Sequence, residues 1–379
     1  MRPPLSDPRQ LCIVTHVCRK NDGQGRVNFE IAKAALAAGW HVTVLAAELS
    51  EELSKHALVR WIRMPPAKLP TNLLKYHVFA IKTAFWLRRH RTEIDVLHVN
   101  GFITWEPADV NTAHFVHAGW LKSGYFPYRW GRSLYQTYQR FYTLSNLYLE
   151  RKAFKESGIV IAISNKIKSE LESIGVEREK IALIENGVDV DEFGPGAGSR
   201  VKFGLSEDRI YLLFAGDIRT SRKNLDTVLQ AMRLIKDCDL VVAGRLEGSP
   251  YPEMAEKMAI AKRVHFLGMV DDVASLMRSV DLFVFPSRYE AMSLVILEAM
   301  ASGLPVLTAK SAGGAEIVAD GGRVLDDPDD IETLAAWVNE LAARTDLRLE
   351  MGRRARAIAE TFTWGVMSAK YLALYQNLL

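Results

Sequence analysis

The feature that most constrains this chain is a rhythm in which short apolar runs of strand length alternate with helical stretches. LCIVTHV (11–17), HVTVLAA (41–47), VRWIRMP (59–65), DVLHVN (95–100), ADVNTAHFVH (108–117) and GIVIAIS (158–164) are strand candidates. Between them, VNFEIAKAALAAG and TNLLKYHVFAIKTAFWLRRH carry the 3.6-residue period of amphipathic helices. Apolar strands joined by helices predict a parallel sheet wound on both faces. Residues 184–205, IENGVDVDEFGPGAGSRVKFGL, interrupt the rhythm with glycine, proline and charge, and read as a linker. Past them IYLLFAG, DLVVAG, VHFLG, DLFVFPS and LPVLTA restart the series, with the first new helix expected to reach Lys236.

The expected fold is therefore α/β, with two doubly wound parallel sheets whose strand carboxyl ends face a common cleft, where such sheets take ligands. The domains are expected at 1–187 and 188–362, followed by an amphipathic helix at about 363–379 whose target its own pattern does not reveal. A length of 379 residues suits two domains.

Composition excludes several classes. No apolar run reaches the roughly 18–20 residues of a membrane span, and the opening MRPPLSDPRQ lacks the apolar stretch of a secretion signal. Three cysteines, Cys12, Cys18 and Cys238, make neither a disulfide framework nor a zinc-ligand pattern. A cytoplasmic protein is expected. Net charge is only +3, yet residues 1–190 carry 26 Lys+Arg against 18 Asp+Glu, +8, and residues 191–379 carry 22 against 27, −5. The basic front half suits an anionic partner such as phosphate, a lipid headgroup or nucleic acid.

Four segments carry candidate chemistry. Gly23, Gln24 and Gly25 in RKNDGQGRVNFE follow the first strand and open a helix, where a phosphate could approach the backbone closely; a tight turn explains them equally well. His114 and His117 end a strand in NTAHFVHAGW. Arg219, Arg222 and Lys223 in FAGDIRTSRKNLDTVL bring three cations to one loop at a sheet's carboxyl edge, which suits a diphosphate. In PSRYEAMSLVILEAMASGLPV, Glu290 lies in a loop and a helix runs from about Ser293 to Ser302. The amides of Met292, Ser293, Leu294 and Val295 would then form an anion site at its start. Glu298, inside an apolar stretch of that helix, needs a partner such as ribose hydroxyls.

Taken together, these segments resemble glycosyltransferase family 4, the retaining nucleotide-sugar transferases of GT-B fold. The resemblance runs through DGQGRVNFEIAKAALAAGWHVTVLA, DVLHVNG, NTAHFVH, IVIAISNKIKSEL, ENGVD, RKNLDTVLQAM, the block from VHFLG to GGAEIV, and the TFTW…YLALY ending. It implies two Rossmann-like domains, the first for the acceptor and the second for the nucleotide sugar, with the last helix crossing back onto the first. It also implies that Glu290 contacts the donor sugar, Glu298 holds the ribose, Lys223 meets the diphosphate and Gly23 lies near a donor phosphate. His114 would touch the sugar, with His117 as the alternative. The arginine usual directly after the loop glycine is Asp217 here, so Arg219 or Arg222 takes its place. The usual Gly-Phe-Gly after the first glutamate is Ala291-Met292-Ser293, which bears on sugar preference.

The implied reaction moves a sugar from a nucleoside diphosphate to an acceptor hydroxyl on a glycan or lipid-linked molecule, in bacterial cell-surface polysaccharide, lipopolysaccharide or glycolipid synthesis. Lys223, an arginine and the 292–295 amides would stabilise the leaving diphosphate. No metal and no cofactor is expected. Same-face attack, with the leaving phosphate as base, fits the lack of a clear second nucleophile. Two other readings compete: a nucleotide-sugar 2-epimerase of the same fold, and a non-catalytic protein that binds anionic surfaces. Residues 120–152 mix aromatics and arginines as interfacial helices and single-strand binders do, although an aromatic core helix explains the mixture more readily; contact with the cytoplasmic face of a membrane is the partner expected, and nucleic acid is not.

Overall fold

The computed structural model describes residues 9–379, so the expectation drawn from MRPPLSDPRQ falls almost wholly outside the described residues. The chain forms two compact units, one running to Asn186 and including Trp364–Leu379, the other Gly187–Thr363.

The first unit is built on seven strands: β1 Gln10–Val14, β2 His41–Ala46, β3 Val59–Arg63, β4 Val96–Asn100, β5 Val110–Ala113, β6 Ile159–Ala162 and β7 Ile181–Leu183. Their order is β3-β2-β1-β4-β5-β6-β7, and all pair in parallel. Strand order reverses between β1 and β4, a topological switch point. The helix after β1, α1 Gly23–Ala37, begins four residues before the expected Val27, because Asp22 caps it by accepting the Gly25 N–H at 2.6 Å. The expected strand at 108–117 is shorter: β5 stops at Ala113, and His117 opens the short helix α3, His117–Lys122. Two longer helices, α2 Asn72–His90 and α4 Leu134–Glu156, complete the parts used below.

Phe29, Ile31, Ala32 and Ala35 of α1 are buried with Leu11, Ile13, Val42 and Val44. The last helix joins this core through Met367, Tyr371 and Tyr375, which answers where its apolar face goes. Its two tyrosines also reach polar partners, Tyr375 Oη lying 2.8 Å from His98 Nδ1 and Tyr371 Oη 3.1 Å from Thr112 Oγ1. Burial pushes the His98 imidazole down to about 3, so the ring is neutral.

The second unit carries β8 Ile210–Ala215, β9 Cys238–Ala243, β10 Val264–Gly268, β11 Leu282–Phe285, β12 Val306–Ala309 and β13 Gly322–Leu325, in the order β10-β9-β8-β11-β12-β13. All are parallel, and the switch point falls between β8 and β11. The helix after β8, α5 Leu225–Ala231, stops short of Lys236. Arg263 donates to the Met232 and Ile235 carbonyls, both at 2.6 Å, and so satisfies the chain where the helix ends.

Residues 187–205 are not a free linker. The Ser199 N–H donates to Ser279 Oγ at 3.0 Å, Arg200 pairs with Asp281 at 2.8 Å, and Arg278 donates to the Glu192 carbonyl at 3.1 Å. Their glycines allow close packing: a Cβ on Gly198 would lie 2.2 Å from the Arg278 carbonyl oxygen. Among the described residues no helix is long and apolar enough to cross a membrane.

Candidate functional site

In a doubly wound sheet the loops that leave the two strands flanking the switch point are brought together by topology alone. In the second unit these are the loop after β8, with Arg219, Arg222 and Lys223, and the loop after β11, with Glu290. Buried Asn224, at φ 66°, turns the first loop into α5; asparagine tolerates that left-handed conformation better than most residues. Its Nδ2 donates to the Pro286 and Pro328 carbonyls at 2.9 and 2.7 Å, tying the cation loop to the end of β11. The Arg288 N–H and Ser287 Oγ both donate to the Arg222 carbonyl, at 2.9 and 3.0 Å.

The side chains then converge. Lys223 Nζ lies 2.6 Å and Arg222 Nη1 3.0 Å from the same oxygen of Glu290, and Ser287 Oγ lies 3.3 Å from it. Burial alone would raise the Glu290 carboxyl, but Lys223 and Arg222 hold it below the usual carboxylate range. Burial pushes the Lys223 ammonium below its ordinary value, against the pull of Glu290. Two cations against one carboxylate leave this group at net +1. Arg219 is held elsewhere: it makes a bidentate pair with Asp217, both contacts 2.8 Å, on the exposed surface. This pair holds the Asp217 carboxyl below its usual range.

Glu290 is fixed through its backbone as well. Its N–H donates to the Ser311 carbonyl at 3.4 Å, and the Gly313 N–H donates to its carbonyl at 3.0 Å. Gly313 must be glycine, since a Cβ there would lie 1.8 Å from the Ala291 oxygen. The helix α6, Leu294–Ala301, starts beside this loop. Of the four amides expected at its start, that of Ser293 is already taken by the Gly313 carbonyl at 3.2 Å. Leu294 and Val295 stand in the first turn, where helix N–H groups lack intrahelical partners. Met292 is buried, and Glu298 is half-buried on the second turn of α6.

In the first unit the structure separates the two glycines. A Cβ on Gly25 would meet Asp22 Oδ1 at 2.8 Å and the Val17 carbonyl at 3.1 Å, so packing explains that residue. Nothing lies within 4 Å of a Cβ on Gly23, which leaves its face open beside Gln24. His114, half-buried just past β5, has Nε2 2.9 Å from Asn100 Oδ1, and burial pushes its imidazole down to about 4. His117 instead points Nδ1 at Glu150 Oε1, 2.7 Å away, and its N–H donates to Oε2 at 3.1 Å.

Several residues that organise these groups were not singled out from the sequence: Asn224, Ser287, Asn100 and Glu150. A signal existed for Asn100, a polar residue closing a mostly apolar strand at its carboxyl end. Glu150 lies inside a long helix, and nothing in its neighbours marks it. Among the described residues no group of three or more His, Cys, Asp or Glu is placed to hold a metal ion.

Fold and site together define a doubly wound α/β protein with a net cationic centre at a switch point. Comparison with known proteins narrows this. Residues 21–192 match the family Glycosyltransferase Family 4, and residues 198–358 match Glycosyl transferases group 1. The chain belongs to the glycosyltransferases of GT-B fold, with a family 4 front half. It is 30% identical to the D-inositol 3-phosphate glycosyltransferase of Streptomyces scabiei (strain 87.22), over 68% of this chain and 65% of that protein. It is 32% identical to the lipopolysaccharide glucosyltransferase WaaG of Escherichia coli (strain K12), over 43% of this chain and 45% of that protein. The chain thus spans less than two thirds of the length of these relatives. Among solved structures, WaaG superposes with a TM-score of 0.77 at 22% identity, covering 96% of this chain and 99% of that one. Anabaena Alr3699/HepE in complex with UDP and glucose gives 0.75 at 18%, covering 97% and 99%. These likenesses carry the fold.

Proposed function

We propose that this chain transfers a sugar from a nucleoside diphosphate sugar to an acceptor hydroxyl, with retention at the sugar carbon. The second unit holds the donor, and the first takes the acceptor. One observation carries the reading: Lys223 and Arg222 converge on a buried carboxylate at the β8–β11 switch point, beside the start of α6. Two fixed cations where charge develops on a leaving diphosphate stabilise the transition state without reorganisation. Arg222 rather than Arg219 fills the diphosphate role, since Arg219 is engaged by Asp217. Glu290 is released to sugar hydroxyls when the diphosphate takes its cations, Glu298 holds the ribose, and the open face of Gly23 and Gln24 accommodates a donor phosphate. The leaving phosphate acts as base from the same face. No metal is needed, and chelation leaves the rate unchanged.

The relatives named for lipopolysaccharide and inositol phosphate glycosylation support an acceptor in cell-surface glycan or glycolipid synthesis. A thermal-shift panel of UDP-, GDP- and ADP-sugars tests the donor assignment. One nucleotide should raise Tm in the wild type and not in Lys223→Ala; no shift with any of them sinks the reading. Turnover of nucleotide sugar without acceptor to its 2-epimer would favour the isomerase instead.

A second reading concerns the cytoplasmic membrane face. Residues 53–92 and 110–149 contain no Asp or Glu. α2 lies inside the first stretch, and α4 runs from the second on to Glu156; they adjoin through Leu73 and Tyr138 (3.4 Å) and through the rings of Tyr76 and Tyr142 (6.4 Å). They leave Leu74, Phe85, Leu134 (92%), Tyr135, Phe141 and Tyr148 exposed, with Arg129 and Arg132 exposed nearby. An exposed aromatic and basic surface suits an anionic lipid layer. Salt-sensitive binding to vesicles with anionic phospholipid, lost without it, is expected; equal or absent binding to both rejects this contact.

A further inference from the structure

A chain of three polar side chains crosses the switch point of the first sheet, and its hydrogen-bond directions follow from its ends. Asn28 Nδ2 lies 3.0 Å from the Gln24 carbonyl, and Asn100 Nδ2 lies 3.0 Å from the Val14 carbonyl. A carbonyl oxygen only accepts, so at both places the amide must present its NH₂. Asn100 Nδ2 then also donates to Asn28 Oδ1, at 3.1 Å. This leaves Asn100 with its oxygen alone toward His114, whose Nε2 is 2.9 Å away. The Nε2 must therefore carry the proton, and in the neutral ring Nδ1 holds a lone pair. Flipping either amide would set two acceptors against each other in a buried place, since Asn28 is 0% and Asn100 7% exposed. His117 has the opposite arrangement, with Nδ1 donating to Glu150.

We propose that Asn28 and Asn100 are positioning residues that lock His114 as a hydrogen-bond acceptor, so that the ligand group meeting it is a hydroxyl or amide N–H and not a carboxylate. The proposal rests on the transferase reading only for the identity of that ligand.

The test is independent of any substrate. With ¹⁵N-labelled histidine in the full chain, and the His114 signals assigned by their loss in His114→Gln, Nε2 should be protonated and Nδ1 unprotonated from about pH 8 to about pH 6. Asn100→Ala, checked for an intact fold by its melting curve, should mix the two tautomers. A wild-type Nδ1–H tautomer, or a His114 ring indifferent to Asn100→Ala, overturns the proposal even if transfer is found.

Discussion

Lys223 Nζ and Glu290 Oε1 meet at 2.6 Å with side chains only 14% and 10% exposed, and Arg222 shares the same oxygen at 3.0 Å. A buried ion pair is a weak source of stability, because desolvation offsets most of the attraction. An excess of one cation beside it is the better guide to its use: the group is short of one negative charge.

Replacing Lys223 by Met should therefore leave the protein folded while lowering turnover by about 10²–10³-fold, the cost of losing one preorganised donor. Arg222→Ala should also impair donor binding, by tenfold or so. Arg219→Ala should change it by less than about threefold, since its pair with Asp217 is exposed. Steady-state kinetics on the three variants separate these outcomes, and a larger loss in Arg219→Ala would reverse the assignment.

Glu290→Gln leaves two cations facing each other without a counter-charge and should destabilise by about 3 kcal/mol, the lower end for breaking a buried pair. The Glu290 carboxyl titrates lower in the folded chain than the 4.5 of an unperturbed glutamate. The stability its ionisation contributes is thus fully present above about 4.5 and is lost as pH falls through the lower folded value. Urea midpoints of wild type and variant should differ steadily near neutrality and converge in acid. Pyrophosphate should restore part of the loss in the variant.

The two glycines of the first loop should behave differently. Gly25→Ala forces a Cβ to 2.8 Å from Asp22 Oδ1 and should cost about 1–3 kcal/mol. Gly23→Ala meets open space and should be neutral or stabilising by up to about 1 kcal/mol. If Gly23 faces a donor phosphate, Gly23→Ala weakens nucleotide-sugar binding while its melting temperature holds.

Tyr375→Phe removes the partner of His98 Nδ1 inside a fully buried contact and should cost about 1–3 kcal/mol in denaturant unfolding. A loss below about 0.5 kcal/mol would mean that water reaches His98.

Much of this was legible in one dimension. The strand–helix rhythm and its restart after residue 205 come from apolar periodicity, which is local, and doubly wound topology then requires that Lys223 and Glu290 leave strands flanking one switch point. The resemblance to family 4 rested on these same local segments. Boundaries were less legible, because they depend on caps and partners distant in sequence. Arg263 stops α5 short of Lys236, Asp22 starts α1 at Gly23, and contacts with residues 278–281 pin the segment read as a linker.

The sequence by itself determined the class of fold, the charge excess of the front half and the candidate cations for a diphosphate. Only the tertiary structure decided which arginine faces Glu290, which glycine is open, that the Ser293 amide is already spent, and which nitrogen of His114 carries its proton. Those outcomes depend on which groups distant in the chain come within about 3 Å, the reach of a hydrogen bond. Side-chain identity names the candidates, but the direction of each bond is set by the partner that folding supplies.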